Sequence, residues 1–146
     1  MPRLISVNAG IVRPLFITTE AQTQSVVSAI RKSPLSGSVS VNRLGVVGDE
    51  RADMSVHGGL DKAVYLYPHE HYPVWNAARE RVLRRQELLP FGAMGENLTT
   101  EGLLETDLWV GDRLEINALL LEVTEPRAPC YKFAARMGYP QAIKHM

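Results

Sequence analysis

Cys130 is the only cysteine in the chain, set in the stretch EVTEPRAPCYKFAARMG with Pro126, Arg127 and Pro129 just before it and Lys132 just after. A lone cysteine closes no intrachain disulfide, so it packs, reacts or holds something. If a helix opens at Pro129, the sulfur falls in its first turn, where free N–H groups and the helix dipole favour an anion. Arg127 and Lys132 add to that potential. A thiolate is both a nucleophile and a soft metal ligand. A buried, inert cysteine fits the same residues, and that is the commonest state of a free one.

A second stretch with chemical capacity is GDERADMSVHGGLDKAVYLY, where His57, Gly58, Gly59 and Lys62 precede an apolar run. Paired glycines permit positive φ and close backbone approach, so successive N–H groups can face one anion while Lys62 and His57 supply charge and hydrogen bonds. A tight turn explains the glycines as well, and the spacing is not that of a Walker loop. In GENLTTEGL, Asn97 offers an amide donor and acceptor that suit a heteroaromatic edge. The same side chain could instead brace its own loop.

Other patterns exclude themselves. His69 and His71 are two residues apart at a helix start and diverge, and neither HExxH nor GxSxG occurs. Asp49, Glu50 and Asp53 lack the register of a calcium loop. With 16 Lys+Arg against 16 Asp+Glu, no basic field points to nucleic acid or an anionic membrane. The opening MPRLISVNAG is too short and polar for a signal peptide, and no apolar run approaches a membrane span. One cysteine and no export signal place the expectation in the reducing cytoplasm.

The elements that must position these residues are mostly short strands. RLISVN, SVVSAIRK and GSVSVNRLGVV are expected strands, with SPLSG turning between the last two, and KAVYLY is an expected strand buried on both faces. One long helix is expected after Pro68, with Tyr72, Trp75, Ala78, Val82 and Leu83 on a single face. Arg79, Arg81, Arg84 and Arg85 fall mostly off that face, as a solvated surface or a phosphate patch. GDRLEI and ALLLEVTE alternate apolar and polar residues around Asn117, a hairpin. Arg136 and Gly138 supply stop signals for a helix begun at Pro129, and YPQAIKHM starts another that ends uncapped. Many short strands with one clear helix suggest a closed or nearly closed β-barrel.

Taken in order, GDERADMSVHGGLDKAVYLYPHEHY, GENLTTEGL, VGDRLEI and VTEPRAPCYKFAARMG resemble the MOSC domain, named for the C-terminal part of molybdenum-cofactor sulfurases, and within it the YiiM-like members. The resemblance spans nearly the whole chain and is weakest at the start. It implies a single MOSC domain over residues 1–146, mainly β, a barrel with a few helices. Members usually continue into a further helical segment, so a truncated C-terminus is expected. The cysteine that ligates molybdenum in the pterin cofactor (molybdopterin), or carries sulfur for a metal centre, matches Cys130.

The implied activity is a molybdenum-dependent reduction of N-hydroxylated compounds, hydroxylaminopurine base analogues included. His57, Gly58, Gly59, Lys62 and Arg127 would then lie near the cofactor's phosphate, with Asn97 near pterin or substrate. A sulfur carrier using a Cys130 persulfide and a non-catalytic cofactor-binding protein are the alternatives. No flavin or iron–sulfur signature is present, and one cysteine holds no Cys₄ cluster, so an external electron-transfer partner is expected. A homodimer is expected as well.

Overall fold

The computed structural model describes residues 1–146. Strand β1 (Arg3–Ala9) leads into a hairpin of β2 (Arg13–Thr18) and β3 (Thr23–Ser28), followed by three two-residue strands, β4 (Ser33–Pro34), β5 (Val41–Asn42) and β6 (Gly45–Val46). Helix α1 (Met54–His57), β7 (Leu66–Pro68) and helix α2 (Tyr72–Leu83) come next. Strands β8 (Leu98–Glu101), β9 (Arg113–Ile116) and β10 (Leu119–Glu122) precede helix α3 (Tyr131–Met137) and a final 3₁₀ helix at Pro140–His145.

The strands do not close into the expected barrel. One four-stranded sheet runs β4-β1-β8-β7, with β1 antiparallel to β4 and β8 and β7 parallel to β8; three two-stranded hairpins stand apart. A barrel needs an unbroken ring of paired strands, and the chain interrupts it. The segment expected as one strand over 37–47 folds back on itself, because the Asn42 side chain accepts the Leu44 N–H at 2.9 Å and pairs Val41 with Val46. The start of the expected strand 62–67 is taken by a 3₁₀ turn at Leu60–Lys62, leaving only Leu66–Pro68 extended.

The β2 strand was not among the expected elements, although Leu15 and Ile17 alternate with Pro14 and Phe16. Leu15 is buried opposite Val26, while Phe16 is exposed opposite Ser25. The β9–β10 hairpin is as expected: Asn117 takes a left-handed φ of 52°, and Leu114 and Ile116 pair with Leu121 and Leu119 on the inner face. No helix is long and apolar enough to cross a membrane.

The core lies outside the sheet, among α2, α3, the 89–94 loop and the last 3₁₀ helix, with Tyr67 contributed by β7. Tyr72, Trp75 and Ala78 are its α2 face, as the period of 3.6 requires; Val82, one turn on, is 49% exposed and drops out of it. Trp75 packs edge-on to Phe133 at 5.2 Å between ring centres and donates its indole N–H to the Tyr67 hydroxyl at 2.8 Å. That contact binds α2 to α3, and α3 carries the cysteine segment.

Candidate functional site

Cys130 is the N-cap of α3 rather than a first-turn residue: its φ of −129° and ψ of 176° are extended, and its carbonyl accepts Phe133 N–H at 2.9 Å. Helix α3 therefore begins two residues later than the Pro129 start expected from sequence. The thiol is half-buried and lines a cleft of about 730 Å³, counted out to its open mouth. The end of β3, the 49–52 loop, α1 and the 127–132 segment form its walls.

Charge is the cleft's most distinctive property. Lys32, Arg51, Lys62, Arg127 and Lys132 line it, against Asp49 and Glu50. Lys32 is ion-paired to Asp49 at 2.6 Å and Lys62 to Glu125 at 3.2 Å. The other three reach no carboxylate. Arg51 donates to the Ala63 carbonyl and Lys132 to the Val27 carbonyl. Arg127 lies over the Tyr65 ring at 5.1 Å and donates to His57 Nδ1 at 2.9 Å. Three cations with only neutral partners leave the cleft positive, and a low-dielectric wall strengthens such a field.

The His57–Arg127 contact also fixes a proton. A guanidinium has only donors, so Nδ1 must accept and the neutral ring carries its hydrogen on Nε2. Burial, then the positive charge of Arg127 and Lys132, lowers the His57 pKa from its ordinary value. The neutral ring is thus the working form near pH 7.

Two sequence stretches expected to act together are joined through long-range contacts. Thr124 donates to the Asp61 carbonyl at 2.6 Å, Lys62 meets Glu125, and Arg127 meets His57. Gly58 and Gly59 do not line the cleft; they shape the turn that offers His57 and Lys62 to it. Gly59 has φ of 93°, and a Cβ on Gly58 would stand 2.5 Å from the Met54 sulfur. At Gly45, also at positive φ, a side chain would collide with the Arg51 guanidinium, so this glycine makes the room Arg51 occupies.

Asn97 is buried, and its amide is committed within the protein. It donates to the Asn8 carbonyl at 3.2 Å and to Asp49 Oδ2 at 2.9 Å, and accepts Tyr65 N–H at 3.1 Å. Sequence reasoning passed over Lys32 and Arg51 as parts of the site and read Asp49 as a turn residue able to orient a nearby basic group, which it does for Lys32. The only local signal was GDE followed by a third polar residue, which reads equally as a solvated turn. His69 and His71 gather no metal set: His71 pairs with Glu105 and His69 packs on Tyr72 and Phe91.

Residues 53–146 match the MOSC domain family. The chain belongs to that family. It is 42% identical over 113 residues to protein YiiM of Escherichia coli K12, covering 77% of this chain and 49% of YiiM. It is 40% identical over 120 residues to a protein named "Reductase" from Gibberella moniliformis, covering 82% of this chain and 21% of that one. The structure of YiiM from Geobacillus stearothermophilus superposes with a TM-score of 0.70 at 31% identity, over 99% of this chain and 61% of its own. This MOSC domain is therefore YiiM-like, and it spans about half the length of the YiiM protein it matches. MOSC domains are associated in general with binding the molybdenum cofactor.

Proposed function

We propose that this MOSC domain holds a molybdenum–pterin cofactor in the cleft, with Cys130 as the metal's protein ligand, and reduces N-hydroxylated compounds such as hydroxylaminopurine base analogues. Electrons come from an external carrier. The observation that carries this reading is the half-buried thiol in a cleft with three cations free of any carboxylate. The fungal relative named a reductase supports the reaction class.

The residues present fit the group. A thiolate is soft enough for molybdenum, and guanidinium and ammonium groups suit the phosphate of a pterin. When bound, the cofactor supplies the two-electron redox chemistry. The chain does the rest. Arg127 keeps N–H groups beyond the one on His57, and His57 presents Nε2–H as a neutral donor. Lys62 is tethered by Glu125 and the Val56 carbonyl at the cleft edge. Gly58 and Gly59 set the turn, and Asn97 acts through Asp49 rather than by contact.

Metal and pterin analysis of protein from a molybdenum-replete host tests the reading. The expected result is stoichiometric molybdenum, lost in Cys130→Ala, together with turnover of a hydroxylaminopurine when a reductase chain is supplied. Metal-free protein bearing a cyanide-labile sulfur on Cys130 overturns it in favour of sulfur transfer. Loaded protein with no turnover reduces it to cofactor binding.

A further inference from the structure

Lys32 occupies a place in the cleft that the reading above leaves unused. Its side chain is 8% exposed and donates to Asp49 Oδ1 at 2.6 Å, while Asp49 is itself 1% exposed. Asp49 cannot turn away. Its Oδ1 also takes Gly10 N–H at 2.9 Å, and its Oδ2 takes the Asn97 amide at 2.9 Å. An ammonium has three donors. One is on Asp49, and no protein group accepts the other two, although Lys32 lines the cleft.

The charged groups around Lys32 are each committed to another partner. Asp49 is its one carboxylate partner. Glu50 is turned to the Val12 N–H, Lys62 to Glu125, Lys132 to the Val27 carbonyl, and His57 to Arg127. Burial lowers the Lys32 pKa from that of an ordinary lysine; Asp49 opposes the shift, and Arg51 and Arg127 add to it. Such an ammonium gives up its proton more readily than a solvated one.

Reducing an N–OH group requires that proton. Hydroxide is a poor leaving group, and protonating the oxygen as the N–O bond breaks lets it depart as water. We propose that Lys32 is the general acid that protonates the departing hydroxyl of an N-hydroxylated substrate, held in place by the Asp49–Asn97 frame. The step rests on the reductase reading and balances as R–NHOH plus two electrons and two protons giving R–NH₂ and water. A reduced flavoprotein-type carrier outside the chain is oxidised and the substrate nitrogen is reduced. The oxygen takes the Lys32 proton, the nitrogen takes one from solvent, and solvent reprotonates Lys32.

The experiment compares loaded wild type, Lys32→Arg and the double variant Lys32→Met/Asp49→Asn. The double variant removes the buried pair together, so neither charge is stranded. Hydroxylaminopurine with a reductase chain is the substrate, and cofactor content is measured on every sample. Lys32→Arg keeps the charge but not the transferable proton. It is expected to retain cofactor and KM, to lose about 100-fold or more in kcat, and to lose the alkaline fall of the wild-type kcat–pH profile. An NMR titration of the Lys32 side chain, independent of turnover, is expected to coincide with that fall.

Unchanged kcat and pH profile in Lys32→Arg, or a Lys32 titration away from the alkaline limb, overturns the assignment while the reductase reading stands. Loss of cofactor in Lys32→Arg overturns it in favour of an anchoring role. No turnover by loaded wild type at any pH overturns the reductase reading, and the assignment with it.

Discussion

Two buried carboxylates, Glu96, which precedes Asn97 in the chain, and Asp49, which accepts the Asn97 amide, are held in opposite ways. Glu96 is fully buried and takes four donors: the Tyr72 hydroxyl, Thr99 Oγ1 at 2.8 Å, Gly92 N–H at 2.9 Å and Met94 N–H at 3.0 Å. None of them is a cation. Asp49 takes Lys32, Gly10 N–H and the Asn97 amide, and lines the cleft. Glu96 closes a knot that pins the 92–99 loop to α2, and its partners have nothing left to offer a ligand. Asp49 instead fixes an ammonium whose remaining donors have no protein acceptor, on a residue that lines the cleft. One acid is a structural tie and the other lines the candidate site, and the difference lies in what their partners can still do.

Removing Glu96 should cost most. Glu96→Ala strands two backbone N–H groups and two hydroxyls, and is expected to lower unfolding free energy by about 4 kcal/mol. Chemical denaturation measures it. A loss below about 1 kcal/mol would erase the contrast with Asp49, since neutral surface changes cost as little. Asp49→Asn keeps an oxygen for one of the N–H donors and is expected to cost about 2 kcal/mol. Its sharper effect is on Lys32: without the carboxylate's attraction the ammonium's pKa falls further, readable by NMR titration.

A smaller effect separates the cleft from the knot by pH. Folded His57 takes its proton only at lower pH than an unfolded imidazole does. Its contribution is therefore whole above the ordinary histidine value of 6.5 and is lost as pH falls through and below it. Thermal melts of wild type between pH 7 and 5 should fall more steeply than those of His57→Gln. Equal slopes would remove His57 from the cleft's electrostatics. Least of all, Arg85→Ala, exposed just past the Arg84 C-cap of α2, is expected to change stability by less than about 0.5 kcal/mol. A larger loss would mean that Arg85 is not a freely solvated side chain.

Much of the candidate cleft was legible because its residue types are scarce. A single cysteine framed by prolines and cations, and a histidine before two glycines and a lysine, draw notice without any fold. Their meeting through the His57–Arg127 contact follows from the family resemblance, not from spacing. Glu96 was not legible at all. In GENLTTEGL it stands beside the asparagine that drew attention, and a glutamate in a glycine-rich loop is ordinarily solvated. Asn97 suits a ligand edge in isolation, yet Asn8, Asp49 and Tyr65 claim its amide from 32 or more residues away.

By itself the chain determined what depends on neighbours within a turn or two. These are the apolar face of Tyr72, Trp75 and Ala78, the Asn117 hairpin, and the helix stop at Gly138, because periodicity and φ preference act locally. Only the tertiary structure decided that the strands leave the barrel open, that Cys130 caps its helix, and which cations stay unpaired. Those outcomes turn on which groups meet across the fold, and a buried polar atom takes whichever partner the packing brings within reach.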